Sequence, residues 1–276
     1  MVNLVWVNDS LVPSEFARIS VFDHGFTVGD GVFETMQVKN GKAFALSRHL
    51  RRLEKSANLL GINFLDSDYL KTVVAEVIKA NVDLQAAGRL RITLTSGDGP
   101  LGSDRNSEKP TLVVAMSQLP KWSNSAKVAS VKMPRNHLSP LTGAKTTSYA
   151  ENVLALVTAK ELGADEAILP NVAQNICEGT GSNFFAVVDG QVVTPPLTSG
   201  CLGGITRELV CEWFDCEERD LPFSSLGEFE AAFLTSTTRD VQPINQIDSR
   251  DTNAENALVK RIQSEFLAKM SETVDP

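Results

Sequence analysis

The sequence has few of the residues that bind metals or build disulfide frameworks. Its 276 residues include only three histidines and four cysteines, Cys177, Cys201, Cys211 and Cys216. The cysteines lack the C-x-x-C spacing of zinc sites, and three histidines do not supply the missing ligands. We therefore predict no metal site and four reduced thiols, as is typical of a cytoplasmic protein.

Long apolar runs and an excess of positive charge are also missing. No apolar run approaches the ~20 residues that a membrane-spanning helix needs. The first residues, MVNLVWVNDS, have neither the basic nor the apolar part of a secretion signal. A formal net charge of −8 and a pI of about 5.0 argue against nucleic-acid binding, which requires a clustered basic face. The 42% hydrophobic and 22% charged residues predict an ordinary cytoplasmic globular enzyme that binds neither membrane nor nucleic acid.

Strand and helix patterns over residues 1–119 predict an N-terminal α/β domain. Short strands bounded by turn residues are expected over 4–7, 11–12, 19–22, 33–38, 43–46, 89–95 and 111–116. Two helices lie among them. The first is predicted to be capped by Ser47 and ended by Gly61, and the second to be capped by Ser67.

A second domain is predicted after a short linker. Residues 120–125 contain proline, serine and asparagine without periodicity, which indicates a linker between this domain, 126–276, and the first. Strands are expected over 127–133, 166–170, 184–188, 191–193 and 231–235. A helix from about Ser148 is expected to bury an apolar face made of Val153, Leu156, Val157 and Leu162.

One glycine-rich stretch formally matches a dinucleotide-binding motif. Residues 97–102 have the sequence GDGPLG, and a true motif would open a helix at these glycines. Pro100 and the polar GSDRNSEKP that follows favour a loop instead. A nicotinamide-dependent oxidoreductase is therefore an alternative that rests on this loop alone.

Three features between residues 143 and 206 share the chemistry of a cofactor pocket. Lys145 lies in a short polar segment, where a primary amine can form an imine with a carbonyl. Glu178, beside the small residues 179–182, can offer a carboxylate to a ring nitrogen. The LGGIT at 202–206 opens a helical pattern, and free N–H groups at a helix start bind anions. Pyridoxal 5'-phosphate requires these three groups of a protein.

Six motifs, in order, resemble the class IV aminotransferases. This fold-type IV pyridoxal-phosphate family includes branched-chain and D-amino-acid aminotransferases and 4-amino-4-deoxychorismate lyases. The motifs are DHGFTVGDGVFET (23–35), SRHLRRL (47–53), KTTSYAENVLA (145–155), CEGTGSNFF (177–185), LTSGCLGGITRELV (197–210) and FLTSTTRDVQPI (233–244). The resemblance implies a two-domain α/β (α+β) fold like that of D-amino-acid aminotransferase, with a barrel-like C-terminal domain, and a homodimer.

The resemblance assigns the chemical step to three residues. Lys145 would hold pyridoxal phosphate as an imine and then act as the proton-transfer base. Tyr149 would donate a hydrogen bond to the ring oxygen, and Glu178 would keep the ring nitrogen protonated. Without the motifs, the same residues would be a surface charge, a packed ring and a loop carboxylate.

Five further residues would bind the rest of the cofactor. The phosphate would be held by Arg52, Ile205, Thr206 and Thr237, and Leu202 would cover the ring face. Guanidinium suits phosphate because its fork of donors matches the oxygens. The alternatives are a solvated basic patch at Arg51-Arg52 and a core position for Leu202.

The motifs determine the cofactor better than the substrate. The same residues support either transfer of an amino group or elimination, which in 4-amino-4-deoxychorismate releases pyruvate and gives 4-aminobenzoate. GDGVFET and TSTTRDVQPI, and the lack of a histidine in residues 90–97, favour this lyase of folate biosynthesis. A branched-chain or D-amino-acid aminotransferase is the alternative, and a catalytically silent cofactor-binding protein is a third possibility. The partner in either reaction would be a small amino substrate, and either Arg91 or Arg105 could bind its carboxylate.

Overall fold

The structure, a computed structural model, describes residues 3–105 and 109–276, which form two units. The first unit contains the chain up to Pro120, Ala144–Tyr149 and Thr273–Pro276. The second contains Lys121–Gly143 and Ala150–Glu272. Residues 144–149, which the domain prediction places in the C-terminal domain, thus pack in the first unit.

The first unit is a six-stranded antiparallel sheet with the strand order β2-β1-β6-β5-β3-β4. Its strands are β1 (Leu4–Val7), β2 (Ser10–Pro13), β3 (Gly31–Lys39), β4 (Lys42–Ala43), β5 (Ala87–Thr95) and β6 (Thr111–Gln118). Its helices are α1 (His24–Thr27), α2 (Leu46–Leu60) and α3 (Ser67–Ala80).

Apolar and polar side chains alternate along β5, and this alternation determines which face of the sheet is covered by helices. Leu90, Ile92 and Leu94 point to one face, where they are fully buried with apolar residues of α2 and α3. Arg89 and Arg91 point to the other face and are exposed. Full burial of each large apolar side chain contributes about 1.5–3 kcal/mol to folding. The covered face therefore holds α2 at a fixed position on β3 and β5.

The start of α2 differs from the prediction. The helix begins at Leu46 and its N-cap is Ala45, which has φ 53° and no capping side chain. Ser47, the predicted cap, lies inside the first turn and donates its hydroxyl hydrogen to Asp275. The predicted strand over 43–46 is accordingly reduced to β4. The end of the helix agrees with the prediction, because Gly61 is the C-cap with φ 66°.

Two other local predictions for the first unit are wrong. Residues 19–22 form a turn region rather than a strand, and the Phe22 N–H is bonded to the Ser20 hydroxyl. The cap of α3 is Asp66, one residue before the predicted Ser67. Its carboxylate accepts the N–H groups of Asp68 and Tyr69, which a side chain at the first helical position cannot reach.

The second unit contains a nine-stranded mixed sheet in the order β12-β11-β10-β13-β14-β7-β8-β9, with β15 paired to β14. Its strands are β7 (Ala126–Ser130), β8 (Glu166–Pro170), β9 (Ile176–Gly179), β10 (Asn183–Val188), β11 (Gln191–Thr194), β12 (Cys216–Glu218), β13 (Ala231–Ser236), β14 (Asp240–Ile247) and β15 (Arg250–Asp251). Its helices are α4 (Ala150–Glu161), α5 (Ile205–Trp213) and α6 (Ala257–Glu272).

Helix α4 buries a different face from the one predicted. Val153, Val157 and Leu162 are 58%, 47% and 65% exposed. The buried face instead contains Ala155 and Ala159, which pack with β7 and β8. Small side chains let the helix approach the sheet closely, so the larger apolar residues remain outside.

Helix α6 follows the expected spacing of a surface helix. Val259, Ile262, Phe266 and Met270 are buried at intervals of three or four residues. The other face of the helix is polar. Of the helices in the described ranges, none has both the length and the apolar composition needed to cross a membrane.

Candidate active site

The segment that carries Lys145 is paired with β3 in the first unit. The Lys145 carbonyl accepts the Phe33 N–H at 2.9 Å, and the Thr147 N–H donates to the Gly31 carbonyl at 2.8 Å. On its other side, the Lys145 N–H donates to the Ser56 hydroxyl of α2 at 3.1 Å. The lysine backbone is thus fixed between a strand and a helix, although its local sequence is a short polar loop.

The side chain of Lys145 lies among aromatic rings and a second cation. Its Nζ is 4.4 Å from the centre of the Phe33 ring and 5.8 Å from that of Tyr149. These rings meet edge to face at 5.3 Å. The Arg91 guanidinium lies 3.6 Å from the centre of the Phe33 ring. Lys145 and Tyr149 are therefore neighbours, as the resemblance implies, beside one of the two candidate carboxylate ligands.

A buried carboxylate, Glu34, holds Arg52 in place. Arg52 donates from Nε to Glu34 Oε1 and from a terminal nitrogen to Glu34 Oε2, both at 2.7 Å. His49 Nδ1 lies 2.6 Å from the same Oε2. His49, Arg52 and Ser56 follow one another at intervals of three and four residues, so one face of α2 presents all three. The face of α2 that binds the Lys145 backbone through Ser56 therefore also carries Arg52, the predicted phosphate ligand.

The charges of this cluster follow from its burial. Burial alone would raise the pKa of Glu34, but the charge of Arg52 and the hydrogen bonds from Arg52 and His49 bring it to about 2. Burial lowers the pKa of His49, and the nearby Arg52 and Lys145 charges act in the same direction. Glu34 is therefore ionised and His49 neutral, so Nδ1 donates its hydrogen to Glu34. Nε2 of His49 is then a buried acceptor without a hydrogen-bond partner in the described part of the chain.

The two neighbouring arginines of the RRL motif have different surroundings. Arg51 is exposed, as in a solvated basic patch, whereas the side chain of Arg52 is only 11% exposed. An arginine held by a buried carboxylate keeps its fork in one orientation. The solvated-patch alternative is thus wrong for Arg52.

The glycine-rich loop is anchored by Arg105 and does not open a helix. The Arg105 side chain pairs with Asp30 at 2.5 and 2.6 Å and also donates to the Leu60 carbonyl at 2.7 Å. The Pro100 carbonyl lies 2.9 Å from His24 Nε2. Residues 97–102 form bends and an isolated bridge, so the dinucleotide-motif alternative is wrong. Residues 106–108 of the polar stretch lie outside the described ranges.

In the second unit, Glu178 lies on β9 rather than in a loop. Its Oε2 accepts the Leu202 N–H at 2.9 Å, and its Oε1 lies 3.5 Å from Arg135 Nε. A backbone donor and a guanidinium thus hold the carboxylate in one orientation. Arg135 was not found from the sequence, because its partner is 43 positions further along the chain.

The start of α5 has the form of an anion cradle. Gly204 is the N-cap and no side chain caps the helix, so the first backbone N–H groups lack intrahelical acceptors. Ile205 and Thr206 follow and are buried. A Cβ on Gly204 would overlap Asn183 Oδ1, whose amide group donates to the Leu202 carbonyl at 2.8 Å. A side chain at 204 would therefore have to displace Asn183 from this hydrogen bond.

Thr237 lies on the turn between β13 and β14, next to a buried ion pair. Arg239, two residues further on, has its guanidinium 3.3 Å from Glu166 Oε2. Glu166 also accepts the Thr180 N–H at 3.1 Å and the Ser182 hydroxyl at 3.3 Å. One carboxylate thus fixes both the turn of Thr237 and the loop that follows Glu178. The available sequence signal was a glutamate opening the otherwise apolar strand EAILP.

The predicted site residues divide between the units. The first unit contains Arg52, Lys145 and Tyr149, and the second contains Glu178, Leu202, Ile205, Thr206 and Thr237. In the first unit Lys145 lies beside Tyr149, and in the second Glu178 accepts the Leu202 N–H. An amine, a fixed carboxylate, an arginine fork and an open helix start are the groups that pyridoxal phosphate requires, so the residues present fit this cofactor.

We predict that Glu34→Gln removes the anchor of Arg52 and destabilises the protein by about 2–4 kcal/mol, because a buried cation loses its partner. The pKa of Glu34 is lowered from 4.5 to about 2, so its contribution is complete above about pH 4.5 and is lost as the pH falls towards 2. Denaturant unfolding of wild type and variant at several pH values measures the difference, which should shrink in acid.

The matched control for this change is Glu54→Gln, at an exposed position of the same helix. It should change the unfolding free energy by less than about 0.5 kcal/mol. An equal effect of the two substitutions would show that the Glu34 cluster does not stabilise the fold.

Comparison with known proteins identifies the same family along most of the chain. The model of the family described as amino-transferase class IV matches residues 31–247. A putative branched-chain-amino-acid aminotransferase of Methanocaldococcus jannaschii is 32% identical over 276 residues, covering 95% of this chain and 94% of the relative. A D-alanine aminotransferase of Staphylococcus haemolyticus is 28% identical over 265 residues, covering 88% of this chain and 89% of the relative.

Solved structures agree with this result. The branched-chain aminotransferase of Thermoproteus uzoniensis with norvaline matches with a TM-score of 0.90 at 28% identity, covering 97% of this chain and 94% of that chain. The branched-chain amino acid aminotransferase from Escherichia coli gives a TM-score of 0.89 at 25% identity, covering 97% of this chain and 94% of that chain. These matches confirm the predicted mixed α/β fold of fold type IV, with a curled half-barrel sheet.

The comparisons also test the expected chemistry. They support the predicted cofactor, pyridoxal phosphate, because another similar branched-chain aminotransferase was solved in complex with N-(5'-phosphopyridoxyl)-L-glutamate. They also support the prediction that this protein is an enzyme, and aminotransferase is the activity that they support. Since these relatives are all named aminotransferases, the preference for 4-amino-4-deoxychorismate lyase finds no support in them. The chain belongs to the class IV aminotransferase family, whose enzymes use pyridoxal phosphate.

Proposed function

We propose that this protein is an aminotransferase that moves an amino group between a small amino acid and a 2-oxo acid. The observation that carries the proposal is the position of Lys145, an amine fixed by its backbone beside Phe33 and Tyr149. The names of the relatives, branched-chain and D-alanine aminotransferases, indicate the substrate class. The lyase expected from the sequence becomes the rival outcome of the test.

Bound pyridoxal phosphate would supply a ring that accepts electrons when a bond to the amino acid's α-carbon breaks. In this proposal Lys145 attaches the cofactor and afterwards moves the proton at its Nζ. Glu178 would hold a proton at the ring nitrogen, because Leu202 and Arg135 fix its carboxylate. Tyr149 would donate to the ring oxygen, and Leu202 would cover the ring face.

The phosphate would be bound by groups that are already oriented. Glu34 holds the Arg52 fork, and the start of α5 offers the N–H groups of Ile205 and Thr206. Thr237 would add its hydroxyl from the β13–β14 turn. Since little ordering is then needed when the anion binds, more of the interaction energy contributes to affinity.

Arg91 and Arg105 are the two candidates for binding a substrate carboxylate, and their surroundings differ. Arg105 is bound by Asp30 and the Leu60 carbonyl, so it anchors its loop. Arg91 lies over Phe33, the ring that Lys145 also contacts. We propose that Arg91 binds the carboxylate of the amino acid.

We further propose a homodimer. The segment between β2 and β3, which includes α1, exposes several large apolar side chains in the single chain: Phe16, Val21, Phe22 and Phe26 are 49–69% exposed. Clustered apolar exposure of this kind is typical of protein–protein contact surfaces. Light scattering of the purified protein should give the mass of two chains, and the mass of one chain would contradict this proposal.

We predict that Arg91→Gln raises the KM for the amino acid by about tenfold to a hundredfold, because a charge-assisted hydrogen bond of about 1.5–3 kcal/mol is lost. Steady-state kinetics at saturating cofactor measure the effect. Arg89→Gln, two residues earlier on the same exposed face of β5, is the control and should change KM by less than about twofold. An unchanged KM in Arg91→Gln would show that Arg91 does not bind the substrate carboxylate.

The reaction type is tested by the need for an oxo acid. With L-leucine, L-valine or D-alanine, sustained turnover should require added 2-oxo acid and should give the matching amino acid as product. Lys145→Ala should show neither this reaction nor any lyase activity. Release of pyruvate and 4-aminobenzoate from 4-amino-4-deoxychorismate, without an added oxo acid, would establish the lyase and overturn the proposed function.

A further inference from the structure

Two of the four cysteines lie next to each other outside the candidate active site. Cys211 is in the last turn of α5, and Cys216 is the first residue of β12. Their sulfur atoms are 3.6 Å apart, and both side chains are half-buried. The other two cysteines, Cys177 and Cys201, are almost completely buried, at 1% and 2% exposure. Solvent can thus reach the paired thiols more readily than the single ones.

A buried arginine connects the same two elements beside the sulfur atoms. Arg207 precedes Cys211 by one helical turn, on the same face of α5. It donates to Glu218 Oε2 of β12 at 2.7 Å and to the Pro195 carbonyl at 2.8 Å. Its side chain is 4% exposed. α5 and β12 are therefore already held together where the thiols meet, and a positive charge lies near both.

The two thiols differ in acidity because of this arrangement. The hydrogen bond with Cys216 and the charge of Arg207 lower the pKa of Cys211 against the opposing effect of burial. The same hydrogen bond, with burial, raises the pKa of Cys216. Burial also raises the pKa of Cys177, and that of Cys201 to about 11. A thiolate, which is the reactive form, is thus favoured at Cys211.

We propose that Cys211 and Cys216 form a modification site that reacts with hydrogen peroxide and closes to a disulfide between α5 and β12. The Cys211 thiolate attacks one peroxide oxygen, the O–O bond breaks, and the departing oxygen leaves as water after protonation. The sulfenic acid on Cys211 is then attacked by the Cys216 sulfur. An S–S bond forms, and a second water leaves with the thiol proton. Two thiols are oxidised and one peroxide is reduced.

Closure requires little movement of the backbone. The sulfur atoms are 3.6 Å apart, and a disulfide bond requires about 2.05 Å. Since the Arg207–Glu218 pair already joins α5 to β12, we expect the cysteine side chains to cover most of this difference by rotation. The reaction uses neither the cofactor nor the amino acid, so it is independent of the proposed function.

The test is direct because both thiols lie in one tryptic peptide, residues 208–219. The holoenzyme is treated with hydrogen peroxide, denatured in iodoacetamide, digested with trypsin and analysed by mass spectrometry. We expect this peptide to carry no alkyl group and to be lighter by two hydrogen atoms, and dithiothreitol should restore alkylation. Cys177 and Cys201 should be alkylated as in untreated protein.

Single substitutions test the order of the two steps. Cys216→Ser should accumulate a sulfenic acid on Cys211, which dimedone traps, whereas Cys211→Ser should leave Cys216 unmodified. Cys177→Ala should form the lighter peptide as wild type does. The proposal is overturned if wild-type peptide 208–219 stays alkylated on both cysteines, gains oxygen on each separately, or becomes linked to a second chain.

Discussion

The backbone pairing between β3 and the lysine segment determines the geometry of the first half of the site. Through it, Lys145 lies beside Phe33, and the next residue of β3, Glu34, points to the opposite face. One strand thus positions the Lys145 amine on one side and the carboxylate that anchors Arg52 on the other. A shift in this pairing by one residue would exchange the two faces and separate both groups from their partners.

The second constraint is the burial of charge. Glu34 and Glu166 are each almost fully buried and each binds an arginine, so removal of either partner would leave an isolated charge in a medium of low polarity. Both carboxylates adjoin residues assigned to cofactor binding, Arg52 in one unit and Thr237 in the other. The charged groups that orient the site are therefore also groups on which the stability of each unit depends.

Much of the fold could be predicted because it depends on local sequence, whereas the cofactor residues follow from the motif resemblance and stay predictions. Gly61 ends α2 with the positive φ that glycine permits, and the turn at 189–190 forms the predicted hairpin. The face of α4 could not be predicted, because tight packing on β7 and β8 selects alanines over larger residues. Glu34 and Arg135 were missed, since their partners are distant in sequence. The lyase preference found no support because cofactor ligands carry little information about the substrate.

We propose that the amine of Lys145 carries the cofactor. Borohydride reduction of the holoenzyme would make this bond permanent, and the position of the pyridoxyl group could then be found by peptide mass spectrometry. The account predicts one modified lysine, Lys145, with labelling that matches the amount of bound cofactor. Modification of another lysine, or cofactor released unreduced from the denatured protein, would contradict it.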